Sequence, residues 1–164
     1  MSIVHAGSST ERVRAALHAA GHPDTIETFP DGTRTSEDAA AAVGCTVAQI
    51  AKSMIFRLKN GNSARPVLVL TSGANRVDAA RVAAALGQAV KRADADWVRD
   101  ATGFAIGGVS PVGLLTPPIA LLDEELLALD PIWAAAGSPS HVFRTTAAEL
   151  RRLTGAQVAA IRQE

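Results

Sequence analysis

Residues 52–58 read Lys-Ser-Met-Ile-Phe-Arg-Leu. Met54, Phe56 and Leu58 alternate with Ser53, Ile55 and Arg57, the period of two that an extended strand imposes on its side chains. Asn60-Gly61 follows, and Pro66-Val67-Leu68-Val69-Leu70 makes a return strand. Strand, Asn-Gly and strand together are the strongest short-range signal for a β-hairpin. A chain that carries it is committed to a sheet with at least one antiparallel pair. The same alternation puts Lys52 on the face of Met54 and Phe56. A lysine that opens an apolar strand face either snorkels to water at the strand end or turns into a site.

Around this hairpin the sequence predicts alternating helices and strands. Ser8-Ser9-Thr10-Glu11 has the spacing of a capping box. It predicts a helix to about Ala20, with Val13, Ala16, Leu17 and Ala20 on its apolar face and Gly21 at its end. A strand is expected near Ile26–Phe29, then a turn at Pro30-Asp31-Gly32. Thr35-Ser36-Glu37-Asp38 opens an alanine-rich helix ended by Gly44, and Thr46 with Gln49 caps one further helical turn. Asn75-Arg76-Val77-Asp78 begins a helix to about Leu86, closed by Gly87. A strand within Ala89–Ala93 and a short helix capped by Asp94 and containing Trp97 come next. Strands are expected at Phe104–Ile106 and, after Pro117-Pro118, at Ile119–Leu122. A short helix covers Glu124–Leu129, a loop Gly137–Ser140, a strand Val142–Arg144 and a helix Ala147–Leu153, capped by Thr146 with Glu149. No repeat, low-complexity segment or interior linker divides the 164 residues, so one domain spanning 1–164 is expected. Helices of varied length between strands, with one clear hairpin, indicate the α+β class and a mixed sheet.

Composition narrows the function. Hydrophobic residues make up 48% of the chain, yet no run approaches the roughly 20 residues of a membrane span. The first residues show no basic region leading into an apolar one, so no signal peptide is expected. The single cysteine, Cys45, allows no internal disulfide, which fits a cytoplasmic protein. The net charge of zero means that a nucleic-acid partner would need a local basic patch. Aromatic residues are 4% with no tyrosine, which argues against a base-stacking platform.

The common catalytic signatures fail. Gly107-Gly108-Val109-Ser110-Pro111-Val112-Gly113 is a shaped loop in which glycine permits close backbone approach and proline holds Ser110 extended. Its spacing is one residue too long for a nucleophile elbow, and no helix follows. No phosphate loop or dinucleotide fingerprint is present. His5, His18, His22 and His141 do not combine with Cys or Glu at metal-ligand spacing, so neither metal nor cofactor is expected. Cys45 follows a helix-ending glycine and reads as a packed small residue rather than a nucleophile. Glu124-Glu125 reads as a helix start.

Taken in order, Thr35-Ser36-Glu37-Asp38-Ala39-Ala40, Gln49-Ile50-Ala51-Lys52-Ser53-Met54-Ile55-Phe56-Arg57 and the Gly107–Gly113 loop resemble the YbaK family. That family includes free-standing relatives of the prolyl-tRNA synthetase editing domain. The resemblance covers about residues 10 to 160 and implies a mostly antiparallel mixed sheet surrounded by helices. It implies a cytoplasmic trans-editing deacylase that removes a small, wrongly attached amino acid (Cys, Ala, Ser or Thr) from tRNA(Pro) or a related tRNA, with substrate assistance and no cofactor. Ser53 stands where alanine-editing relatives tend to have asparagine, which weakens an alanine specificity. Lys52, Gly107 and Gly108 would be catalytic. Ser53, Val109, Ser110, Pro111 and His141 would bind the substrate, and Arg57, Lys59, Arg65, Arg76 and Arg81 the tRNA. Partners would be the mischarged tRNA and prolyl-tRNA synthetase, with no membrane and no DNA. The alternatives are a non-catalytic module that binds tRNA, a nucleotide or a protein on the same fold, and a hydrolase of another small ester.

Overall fold

The computed structural model describes residues 6–30, 32–33, 35–59 and 65–164. Among these, eight strands form one sheet: β1 (Ile26–Thr28), β2 (Ile50–Leu58), β3 (Val67–Ser72), β4 (Val90–Arg92), β5 (Ile119–Asp123), β6 (Ile132–Ser138), β7 (His141–Thr145) and β8 (Gln157–Ala159). Their order is β1-β7-β6-β2-β3-β5-β8, and β4 joins the end of β2. Four pairings are antiparallel (β1–β7, β2–β3, β2–β4, β6–β7) and three parallel (β2–β6, β3–β5, β5–β8). The hairpin expected from residues 52–70 is the β2–β3 pair, in register from Ala51↔Ser72 to Phe56↔Val67. Asn60-Gly61, expected in its turn, lies outside the described residues.

Five helices cover the sheet: α1 (Ala6–Ala19), α2 (Ser36–Val43), α3 (Ala79–Leu86), α4 (Ala95–Thr102) and α5 (Ala147–Thr154). Alternation along β3 sends Leu68 and Leu70 into one layer, where they meet Val13 and Leu17 of α1, Val98 of α4 and Leu150 of α5. Val67 and Val69 go to the other face and meet Val82 of α3. Beside them Ala39 and Ala40 of α2 pack on Ile50, Trp133 and Val142. β3 is buried along its whole length because both faces are covered. The capping signals act as their chemistry dictates: Thr35 Oγ1 accepts from Asp38 N–H at 3.0 Å and Asp94 Oδ1 from Trp97 N–H at 2.8 Å.

Three expectations are corrected. α1 already runs from Ala6, so Ser8–Glu11 lies inside the helix instead of opening it. Packing explains this: the Ser9–Thr10 backbone lies against Gly137 of β6, where a Cβ would sit 2.8 Å from Ser9 O. Phe104–Ile106 is not a strand. Its backbone is satisfied locally, Phe104 N–H by Thr102 Oγ1 at 3.1 Å and Ala105 C=O by Gly108 N–H at 2.9 Å. The Gly137–Ser140 loop is shorter than expected, because Gly137 and Ser138 belong to β6, an unpredicted strand between β2 and β7. Its Trp-Ala-Ala-Ala-Gly stretch lacks the β-branched residues that mark strands. The small side chains instead let α1 lie close on its surface. β8 was likewise unpredicted.

Candidate functional site

Among the described residues, β2 has a strand neighbour along its second edge only at its two ends. Ile50 and Ala51 pair with Trp133 and Ala134 of β6. Phe56, Arg57 and Leu58 pair with Arg92, Lys91 and Val90 of β4. Between them, residues 52–55 keep β3 on one side and meet no strand of the described residues on the other. A cavity of about 610 Å³ opens at this split, a volume within the range of small-molecule sites. Lys52 enters it from the face that carries α2 and α3, together with Asn75 and Arg76 from the segment after β3 and Glu37 from the first turn of α2. Ile106, Gly107 and Val109 line it from the loop after α4, and Val109 packs in the layer on the opposite face. The cavity therefore runs through the sheet, and Lys52 and Gly107 meet it from different faces.

Lys52 is held in place and electrostatically tense. Its Nζ donates to Asn75 C=O at 2.6 Å. The Asn75 side chain donates in turn to Glu125 at 3.0 Å, and Glu125 is ion-paired to Arg162 at 2.8 Å. Burial pushes the Lys52 pKa below its ordinary value. Glu37 opposes the shift and Arg76 adds to it. The described titratable residues that line the cavity are Glu37, Lys52, Arg76 and Arg92: three cations and one carboxylate, a lining suited to an anionic ligand.

The glycine loop is anchored from α1. Arg12 Nε donates to Gly113 C=O at 3.1 Å and its Nη2 to Gly103 C=O at 2.9 Å, while its guanidinium lies 4.6 Å from the centre of the buried Phe104 ring. One side chain thus ties both ends of the loop. Gly107 has φ +97° and open space where a Cβ would be, and the neighbouring Ile106 stands 60% exposed at the cavity rim. Gly108 does a different job: a Cβ there would lie 2.7 Å from Ser138 Cα. Its missing side chain lets the loop press on β6. Ser110 is fully buried and its Oγ accepts from Val112 N–H at 3.2 Å, a turn-forming contact.

Of the residues singled out from sequence, Lys52, Ser53, Gly107, Val109 and Arg76 line the cavity; Gly108, Ser110, Pro111 and His141 do not. Pro111 is buried in the loop. His141 Nδ1 lies 2.5 Å from Ser138 Oγ, and burial, then Arg14, lowers its pKa. The remaining cations are spread out. Arg57 stacks on Trp97 at 4.7 Å, on the face opposite Lys52. Lys59 is exposed, and lies seven residues, about 23 Å of strand, from Lys52. Arg65 donates to the Pro117 and Pro118 carbonyls, both at 3.1 Å. Arg81 pairs with Glu164 at 3.0 Å. Sequence reasoning missed Arg92, which only the β2–β4 pairing brings to the cavity, and Arg12, an ordinary helix residue until the loop folds onto it. Cys45 is half-buried, its Sγ donates to Thr46 C=O at 3.3 Å, and burial raises its pKa. Among the described residues no group of three or more His, Cys, Asp or Glu could hold a metal ion. No helix among them is long and apolar enough to cross a membrane.

A family model of the aminoacyl-tRNA editing domain matches residues 30–153. The chain belongs to the aminoacyl-tRNA editing domain family. The match takes in Lys52, the glycine loop and the segment after β3, and leaves Arg12 outside. The crystal structure of a candidate trans-editing enzyme for prolyl tRNA synthetase superposes with a TM-score of 0.88 at 43% identity, covering 99% of this chain and 100% of the other. The uncharacterized protein YwhH of Bacillus subtilis (strain 168) is 27% identical over 150 residues, which are 92% of this chain and 94% of YwhH. A proline–tRNA ligase of Limosilactobacillus fermentum is 32% identical over 97 residues, 58% of this chain and 17% of the ligase. As an editing-family member, this chain carries its three cavity cations, Lys52, Arg76 and Arg92, at one break in its sheet.

Proposed function

We propose that this protein is a free-standing aminoacyl-tRNA deacylase that removes a small, wrongly attached amino acid in trans. The observation that carries the reading is the cavity at the β2 split, lined by Lys52 from one face of the sheet and by Gly107 from the other, in an aminoacyl-tRNA editing domain. Likeness to a candidate trans-editing enzyme for prolyl tRNA synthetase and to part of a proline–tRNA ligase supports tRNA(Pro) as the carrier and prolyl-tRNA synthetase as a functional partner.

The chemistry follows from the lining. The substrate ester joins the amino acid to the terminal ribose, and its cleavage develops negative charge on the carbonyl oxygen and then on the leaving ribose oxygen. Lys52, close to the Asn75 carbonyl, offers a positioned cation, and the exposed Gly107 offers backbone that a substrate can approach closely. Arg76 and Arg92 hold the terminal phosphates and so place the ester. The lining is dominated by cations, which favours assistance by the substrate: the neighbouring ribose hydroxyl or the aminoacyl side chain relays the proton as water attacks the carbonyl carbon. Cysteine, alanine, serine and threonine are the proposed amino acids released as the free acid, with the ribose hydroxyl of the tRNA as leaving group. Incubation with a panel of labelled aminoacyl-tRNAs tests the reading. Release of a small amino acid by the native chain and not by Lys52→Ala supports it. Release no faster than spontaneous hydrolysis across the panel overturns it.

A further inference from the structure

The hydrogen-bond phase of β2 is fixed at both of its ends. Gly73 N–H donates to Ile50 C=O at 2.6 Å, so residue 50 faces the β3 side. Lys59 N–H donates to Ala89 C=O at 2.8 Å, so residue 59 faces the β4 side. In a strand the N–H and C=O of one residue share an edge, and successive residues alternate edges. Residues 52, 54 and 56 therefore bond β3, and residues 51, 53, 55 and 57 face the other way. Pairing with β6 stops at Ala51 and pairing with β4 stops at Phe56. Ser53 N–H, Ser53 C=O and Ile55 N–H are left facing the cavity, between the end of the β6 ladder and the end of the β4 ladder. At the same place Ser53 Oγ is shut away from solvent with no partner among the described residues. An unpaired strand edge is a template for another extended backbone.

We infer that this open edge of β2 grips the backbone of the aminoacyl group. The inference rests on the deacylase reading and adds how the amino acid is held. An aminoacyl ester carries a strand's own complement: a cationic α-amino donor and a carbonyl acceptor, one carbon apart. The α-ammonium donates to Ser53 C=O, and the ester carbonyl accepts from the N–H of Ser53 or Ile55. Pairing of this kind reads the invariant part of any α-amino acid and leaves the side chain to the cavity walls. It also aligns the ester with the strand on which Lys52 sits, so the cation and the reacting carbonyl share one rigid element. An acyl group without a free α-amino group presents no cation to Ser53 C=O and is held more weakly.

The probe is 3′-alanylamino-3′-deoxyadenosine, in which an amide replaces the labile ester. Titrated into the ¹⁵N-labelled full chain, it should shift the amide proton of Ser53 or Ile55 to lower field and slow its exchange with solvent. An analogue that leaves both amides unmoved, whether or not other cavity amides respond, overturns the assignment. The N-acetylated analogue lacks the cation and should bind at least about tenfold more weakly. Equal affinity of the two overturns the role given to Ser53 C=O. The deacylase reading fails separately: with no aminoacyl-tRNA hydrolysed and the Ser53 or Ile55 amide still responding, the edge assignment stands alone.

Discussion

Two adjacent glycines in one loop should respond differently to the same methyl group. At Gly108 the new Cβ would lie 2.7 Å from Ser138 Cα and 2.8 Å from Ser138 C. Both obstacles are backbone, so no side-chain rotation relieves the contact. Either β6 shifts or the loop lifts. Overpacking of this kind costs about 1–3 kcal/mol. For a chain of this length each kcal/mol moves Tm by roughly 2–4 °C, so Gly108→Ala should lower Tm by about 2–12 °C. At Gly107 the methyl meets open space, and the only cost is a φ of +97°, which L residues rarely adopt. That strain costs on the order of 1–2 kcal/mol if the loop keeps its shape. An exposed turn can shed part of it by rotating its peptide, at the expense of the loop surface that faces the cavity. Gly107→Ala should therefore lose more deacylation rate than Gly108→Ala for each degree of Tm lost. Paired thermal melts and single-turnover assays on both variants check this. A Gly108→Ala protein that melts within about 1 °C of the parent, well below the shift expected from overpacking, would show that the loop does not press on β6 as described.

Lys52→Ala should slow single-turnover deacylation by roughly 10- to 1,000-fold, the range for losing one preorganised electrostatic contact; an unchanged rate removes Lys52 from the chemistry. Because burial lowers the Lys52 pKa, the amine sheds its proton at a lower pH than an ordinary lysine. A rate that needs the cation should fall on the alkaline side below pH 10.5, the ordinary lysine value. After correction for spontaneous ester hydrolysis, a profile flat up to that pH contradicts the requirement. Arg12→Ala frees two carbonyls at the ends of the glycine loop. Charged hydrogen bonds contribute about 1.5–3 kcal/mol each, so a Tm fall of at least about 3 °C is expected, and a melt unchanged from the parent argues against the anchor. If Arg76 and Arg92 are the phosphate contacts, the log–log salt slope of tRNA binding should be about −1.4 to −1.8, from about 0.7–0.9 per phosphate. A slope near zero removes the cations from the tRNA contact, and one near −5 requires the scattered arginines as well.

Local chemistry was legible in the sequence and long-range pairing was not. Thr35, Asp94 and Thr146 announced their helices because a cap is decided by residues two or three apart, whereas Asn75–Val77, expected to open the next helix, lie before its cap at Asp78. The β2–β3 hairpin was legible for the same reason: alternation and a turn signal lie side by side in the chain. β6 was missed because its Ala-rich sequence has no strand signature, and its place beside β2 depends on contacts about 80 residues distant. That miss mattered, since the divergence of β6 and β4 along β2 is what opens the cavity. Lys52 stood out as a cation on an apolar strand face, and the glycine loop by its composition. Arg92 had no signal of its own, because an exposed arginine in a three-residue strand looks like any solvated charge until its partner strand is known. The two glycines of the loop looked equivalent in sequence and separate only when Ser138 is seen against one of them.

The most direct test of the central claim is a single-turnover comparison on tRNA(Pro) charged with alanine, cysteine, serine or threonine, set against the same tRNA charged with proline. The account predicts that the native protein releases at least one of the four small amino acids, leaves prolyl-tRNA(Pro) intact, and loses that activity in the folded Lys52→Ala variant. Hydrolysis at the spontaneous rate for all five substrates, or equal hydrolysis by the native and Lys52→Ala proteins, would contradict it.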